Sequence, residues 1–333
     1  MYKAAVIGCG RIGCGFDDDP LRKIISTHAK AYSENPKTEL YALCDIDKTK
    51  LEKYGKKYSV SHLFTSVDDL LTKTKPDVIS ICTLPETHEE IVVKAAKAGV
   101  KGIFCEKPIA MSISAAKKMV EICEKNDMVL LIDHQRRFDP LFSKLKNEIN
   151  GGLLGSVYQS VFYYTAGIFN TGTHLIDLMR YFFGDVEWVI GKNSTIQSSN
   201  PDDPNIDGIL AFRNGVFASL HTLNVKDCLI FEQDILGSKG RLRILSSGFE
   251  LEYYGISDSR YFSSYKEFER SDLPFEVPKE RQYMLEAVDH LVNCIENKIN
   301  PLSSGNDGVK ALEIILALIK SAKNSSKKTY LSH

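Results

Sequence analysis

Val6-Ile7-Gly8-Cys9-Gly10-Arg11-Ile12-Gly13 decides the fold. The run Lys3–Ile7 that leads into it is apolar from Ala4 onward, without polar alternation, as expected of a parallel strand covered on both faces. In the Gly-x-Gly-x-x-Gly that follows, Gly8 permits a tight turn, Gly10 lets the main chain approach a pyrophosphate, and Gly13 allows close helix–strand contact. N–H groups at the start of the next helix then hold the anion. The glycine pattern alone is weak. Its place after an apolar strand, at the head of an alternating strand–helix region, makes Gly8, Gly10, Arg11, Ile12 and Gly13 a dinucleotide-binding loop.

Working outward, strands are expected at Glu39–Cys44, Val78–Thr83, Gly102–Cys105 and Met128–Ile132. Helical stretches fall between them at Ala29–Glu34, Lys48–Tyr58, Val67–Leu71, His88–Ala98 and Ala115–Asn126. That alternation predicts an N-terminal Rossmann domain, a doubly wound parallel sheet, over residues 1–135. After Pro140 the rhythm changes. A helix at Leu141–Ile149 precedes strand-like runs at Val157–Tyr164, Val186–Gln197, Gly208–Arg213 and Val216–Thr222, then Cys228–Leu236, Arg241–Leu245 and Phe249–Tyr254. Asn214-Gly215 reads as a type I′ hairpin turn. Ser257–Glu280 reads as irregular, and helices at Tyr283–Asn297 and Gly308–Ser321 close the chain. Residues 136–333 are thus expected to form a second domain built on a mostly antiparallel sheet.

The chain has 333 residues, 42 Lys plus Arg against 43 Asp plus Glu, and 43% hydrophobic residues. This describes a globular protein with room for two cores. A balanced charge offers no footprint for nucleic acid or an anionic membrane, and no apolar stretch or signal-peptide core stands out. The eight cysteines show no Cys-x-x-Cys pair, so disulfides and structural zinc are not expected, and a reducing cytoplasm fits. No metal is expected.

Asp45, at the end of the second strand, is the candidate ribose ligand. Its carboxylate would accept both hydroxyls and repel a 2′-phosphate, favouring NAD over NADP; the alternative is a helix N-cap. Gly13 to Asp45 spans 32 residues against a usual gap of about 20, which points to an insertion over Phe16–Ser26. Clusters just past strand ends face the ligand crevice of such a fold: Thr83-Leu84-Pro85-Glu86-Thr87-His88, Glu106-Lys107-Pro108, and His134-Gln135-Arg136-Arg137-Phe138-Asp139-Pro140. Lys107, directly after an apolar strand, has little structural excuse. In the second region Gly172-Thr173-His174 opens a helix that puts His174 and Asp177 on one face, with Asn170 one turn upstream.

Taken in order, Gly-x-Gly-x-x-Gly, Glu-Lys-Pro, Arg-Arg-Phe-x-Pro and Gly-x-His-x-x-Asp-Leu resemble the glucose–fructose oxidoreductase/inositol dehydrogenase/MocA family over the whole chain. The resemblance implies a Rossmann domain followed by an open-sheet α/β domain. It implies a catalytic-site lysine at Lys107, often before a cis proline, and a proton acceptor at His174. Thr83, Pro85, His88 and Glu106 would line the nicotinamide, and Arg136 would reach the substrate. Many members carry Asp where this chain has Asn170; an amide cannot take a proton, so Asn170 should orient a hydroxyl. Tyr163, Tyr164 and Phe169 are further candidates for touching a sugar. The activity implied is oxidation of a secondary alcohol on a sugar, cyclitol or nucleotide-activated sugar, with hydride passing to NAD. A permanently bound NAD and a redox-inactive NAD sensor are the other readings. A homodimer or homotetramer through the C-terminal sheet is expected.

Overall fold

The computed structural model describes residues 1–331. Strands β1 (Tyr2–Ile7), β2 (Thr38–Cys44), β3 (His62–Phe64), β4 (Val78–Ile81), β5 (Gly102–Cys105) and β6 (Val129–Ile132) form one sheet in the order β3-β2-β1-β4-β5-β6. Every neighbouring pair is parallel. The apolar runs that predicted these strands are buried accordingly: Ala4, Val6, Ile79, Ile81, Ile103 and Phe104 are all 0% exposed. The strand order reverses between β1 and β4, and a doubly wound sheet binds its ligand just beyond the carboxyl ends there. The glycine loop leaves β1 at that point, and the Thr83 turn leaves β4 beside it.

This unit comprises Met1–Pro140 together with Glu280–Leu312, so a single break near residue 135 does not describe the chain. The reason is the helix Tyr283–Asn297. Met284, Ala287, Val288 and Leu291 are spaced along one face, are fully buried, and join the same core cluster as Ala4, Val6 and Phe104. Gly102 makes room for it, since a Cβ there would lie 2.8 Å from the Ile295 Cδ1.

The second unit comprises Leu141–Lys279 and the chain from Glu313 onward. Its strands are β7 (Val157–Tyr164), β8 (Val186–Asn193), β9 (Ile206–Phe212), β10 (Phe217–Thr222), β11 (Phe231–Gly237), β12 (Gly240–Leu245), β13 (Glu250–Asp258), β14 (Lys266–Ser271) and β15 (Thr329–Tyr330). They form a nine-stranded sheet, β14-β13-β12-β11-β7-β10-β9-β8-β15, antiparallel throughout except for the β7–β10 pair. Period-two alternation in β11 (Phe231, Gln233, Ile235 buried) shows that one face is covered. The opposite face carries Trp188 edge-on to Phe217, with Ile209 40% exposed.

Two expectations change here. Gly215 has φ +91° but Asn214 is not left-handed, so the β9–β10 connection is not a type I′ turn. Gly215 N–H donates to Phe212 O and Phe212 N–H to Val216 O, the pattern of a type I turn closed by a left-handed glycine. Ser257–Glu280 is not wholly irregular either, since β13 runs on to Asp258 and pairs with β14.

Candidate active site

The glycine loop is held from both sides. Gly8 N–H donates to Cys44 O of β2 (2.8 Å), and its φ of +100° is one that side chains avoid. A Cβ on Gly13 would stand 1.9 Å from the Gly8 carbonyl oxygen, whereas a Cβ on Gly10 would meet nothing within 4 Å. Gly13 is therefore needed for the fold, and Gly10 leaves an open berth where a pyrophosphate can press against main chain. The helical turn Arg11–Gly15 opens there, and its first N–H groups lack carbonyls in their own turn to bond. Asp45 accepts from Cys9 N–H (2.7 Å) and Asp47 N–H (2.9 Å), which fixes its carboxylate against the loop. The helix cap is Asp47, bonded to Thr49 N–H and Lys50 N–H, and not Asp45. These residues fit NAD.

The Phe16–Ser26 insertion is stapled down. Asp17 accepts from Ser26 N–H and the Thr27 hydroxyl. Asp18 accepts from Lys53 and Lys57 (2.7 Å each) and Tyr54, and the two lysines hold its carboxyl down at about 2. The guanidinium groups of Arg11 and Arg22 lie over the ring of Phe16, 4.7 and 4.0 Å from its centre.

Beyond β4, the Thr83 and Thr87 hydroxyls bond each other (2.7 Å), and Pro85 opens a short helical turn. His88 is corrected from a cofactor-lining residue to a buried brace: it is 0% exposed, with Nδ1 on Ile109 O and Nε2 on Thr83 O. Burial lowers its pKa. Beyond β5, Lys107 precedes Pro108 through a cis peptide bond. Glu106 accepts from His28 Nε2 (3.1 Å) and from Lys107 N–H (3.3 Å). Among the described residues, His28, Glu106 and Asp133 are the one set of His, Cys, Asp and Glu side chains with three donor atoms within 4.8 Å of one another. Those atoms are engaged with each other.

Beyond β6 the chain turns through Gln135–Arg137. Arg137 anchors the turn on Leu302 O and Asp307, and Arg281 clasps Asp139 through Nε and Nη2. Arg136 remains as the functional candidate of the pair, its pKa drawn down to about 10 by burial.

In the second unit, β7 is followed by two residues with positive φ, Ala166 (65°) and Gly167 (90°), then the turn Ile168–Gly172 and the helix Thr173–Phe183. Sequence reasoning missed what holds this turn. Asp203 accepts from Phe169 N–H (2.7 Å) and Asn170 N–H (2.9 Å), and Asn205 accepts from Gly167 N–H (3.0 Å). A Cβ at Gly167 would run into the Asp203 carboxylate. Asn170 is thereby presented with an exposed side chain, and the half-buried His174 sits in the first turn of the helix, with Asp177 buried three residues on. Tyr164 is corrected from a sugar contact to a core strut. It is 0% exposed, and its hydroxyl donates to Ile206 O and accepts from Ile206 N–H. Tyr163 is half-buried and its ring packs near His221 (5.9 Å).

A glycine loop at the switch point of a parallel sheet, with a lysine after a neighbouring strand and a second α/β unit, defines an NAD-binding oxidoreductase. The chain belongs to the glucose–fructose oxidoreductase/inositol dehydrogenase/MocA family. Residues 2–134 match that oxidoreductase family's NAD-binding Rossmann fold, and residues 166–330 its C-terminal alpha/beta domain. The chain is 25% identical over 347 residues to D-apiose dehydrogenase of Paraburkholderia graminis (97% of this chain, 88% of that one). It is 26% identical over 344 residues to myo-inositol 2-dehydrogenase of Thermotoga maritima (96% of each). The WlbA dehydrogenase of Bordetella pertussis, crystallised with NADH and UDP-GlcNAcA, shares the fold with a TM-score of 0.80 at 20% identity, covering 100% of this chain and 99% of that one. No helix among the described residues is long and apolar enough to cross a membrane.

Proposed function

We propose that the protein oxidises a secondary alcohol of a sugar, cyclitol or nucleotide-activated sugar, with NAD preferred to NADP. The observation that carries this is Lys107, two residues past β5 on the carboxyl edge of the sheet where the glycine loop leaves β1. A cation there stabilises negative charge as it develops on the alcohol oxygen. NAD, held by the glycine loop and Asp45, would supply the hydride acceptor. His174 takes the hydroxyl proton through its imidazole, and Asn170 orients that hydroxyl because its amide cannot act as the base. Arg136 holds a polar group of the substrate, and Thr83, Pro85 and Glu106 line the nicotinamide. Asp45, fixed by its two main-chain donors, accepts ribose hydroxyls and repels a 2′-phosphate.

The test is His174→Ala. Turnover is expected to fall by about 100-fold or more, with NAD affinity unchanged, because a positioned base contributes on the order of 100- to 10,000-fold. Wild-type turnover in His174→Ala would end the assignment.

The open face of the nine-stranded sheet, where Ile209 and Phe217 are 40% and 47% exposed, supports a second copy of this chain as its cover. Light scattering is expected to give a multiple of the chain mass, and Ile209→Asp to return it to a monomer. A monomeric wild type would remove this part of the reading.

A further inference from the structure

Glu106 is enclosed in the first unit, 6% exposed, and yet it is surrounded by donors. His28, 0% exposed, presents Nε2 at 3.1 Å, and because a carboxylate can only accept, that nitrogen carries the hydrogen. Lys107 supplies its main-chain N–H at 3.3 Å. The third neighbour is another carboxyl, Asp133, 2% exposed, one residue past β6, with an oxygen within 4.8 Å of a Glu106 oxygen. Two carboxyl groups can bond each other only if one keeps its proton. Two charges so close, away from water, would be strongly unfavourable. The surroundings decide which one keeps it. Glu106 has two N–H donors of its own, whereas the Asp133 Oδ1 has no hydrogen-bond partner and its other oxygen stands 3.8 Å from His28 Nε2.

We propose that Asp133 is kept as a neutral carboxylic acid whose O–H donates to the Glu106 carboxylate. With His28, it forms a buried clamp that positions the main chain at Glu106–Lys107. Asp133 and His28 are positioning residues, since neither is argued to touch cofactor or substrate. The far nitrogen of His28 is itself braced on the Ser80 hydroxyl (2.8 Å), which reaches Tyr32 (3.0 Å), so the clamp runs back into the core under β4. The titratable and charged groups facing Asp133 are Glu106, His28, Lys107, Arg136, Tyr283, Cys82 and Cys105. Burial and Glu106 push its pKa well up, while Glu106, despite its burial, is held below the usual carboxylate range by His28 beside it. The role given to Lys107 comes from the proposed function. The protonation of Asp133 does not depend on it.

The decisive experiment is the infrared difference spectrum of wild type minus Asp133→Asn at neutral pH, on protein freed of nucleotide. A protonated-carboxyl carbonyl band, shifted in deuterated water, is the expected result. Its absence would overturn the proposal, and so would one equivalent of a co-purifying metal by elemental analysis, since a cation would then replace the proton. A parallel measurement reads the positioning. Asp133→Asn, whose amide can still donate to Glu106, is expected to hold NADH with wild-type affinity. Asp133→Leu, which leaves Glu106 short of a donor, should weaken it by about tenfold. Equal NADH affinity in the two variants would overturn the positioning role even if the infrared band is present. Turnover lost in none of the Lys107 and His174 variants would instead overturn the proposed function and leave the clamp standing.

Discussion

Lys107→Ala is expected to cut turnover by about 100-fold or more while the dissociation constant for NAD stays within about twofold of wild type. The two effects separate because they rest on different parts of the first unit. In the proposed reading, grip on the dinucleotide comes from the loop after β1, where Gly8 is tied to Cys44 O and Asp45 to Cys9 N–H. Lys107 lies after β5 and, in the same reading, would contribute a charge that matters most when the alcohol oxygen becomes negative. Lys107→Arg should not rescue the loss, because a planar guanidinium cannot take the place of a compact ammonium at a single oxygen. Steady-state kinetics beside NAD titration would check this. A variant with weakened NAD binding and unaltered turnover at saturation would place Lys107 in cofactor capture instead.

The glycine pair gives the second large effect and a sharper contrast. In Gly13→Ala the new methyl would overlap the Gly8 carbonyl oxygen at 1.9 Å, and the atom it meets is main chain, which cannot swing aside. The variant should lose NAD binding and several kcal/mol of stability, since a clash inside a tight turn belongs with the largest single-site effects, roughly 4 kcal/mol or more. Gly10→Ala meets nothing within 4 Å in the protein alone. Its melting temperature should match wild type while NAD affinity falls by on the order of 100-fold, because the methyl occupies the berth of the pyrophosphate. Thermal melts with and without NAD distinguish the two. Equal NAD-induced stabilisation of Gly10→Ala and wild type would remove the loop from the binding site.

Much of the first sheet was legible because its strands carry their burial in their own composition: Ala4–Ile7 and Val78–Ile81 have nowhere to go but a covered sheet. The helices at Lys48–Tyr58 and His88–Ala98 fall where their spacing placed them. What escaped is what depends on distant partners. β3 is three residues of half-buried His62-Leu63-Phe64, too short for periodicity to register. β14, Lys-Glu-Phe-Glu-Arg-Ser, is mostly exposed at a sheet edge, and its polar composition hides its pairing with β13. The return of Tyr283–Asn297 to the first unit is written only in contacts with β5 and its neighbours. The site divides in the same way. Gly8, Gly13 and Lys107 announce themselves by position after a strand. His28, Asp133 and Asp203 carry no local pattern, and only the folded chain brings them to Glu106 or to the Asn170 turn. Tyr164 stands among the candidate sugar contacts because sequence cannot tell which side of β7 faces the core.

The most direct test of the central claim is nicotinamide reduction followed by absorbance, with NAD or NADP and a panel of polyols, free sugars, uronates and nucleotide sugars, wild type beside Lys107→Ala. Reduction of NAD by at least one alcohol in the panel, lost in the variant, is the result the account predicts. Reduction that persists undiminished in Lys107→Ala, or no reduction by any alcohol while NAD is shown to bind, would contradict it.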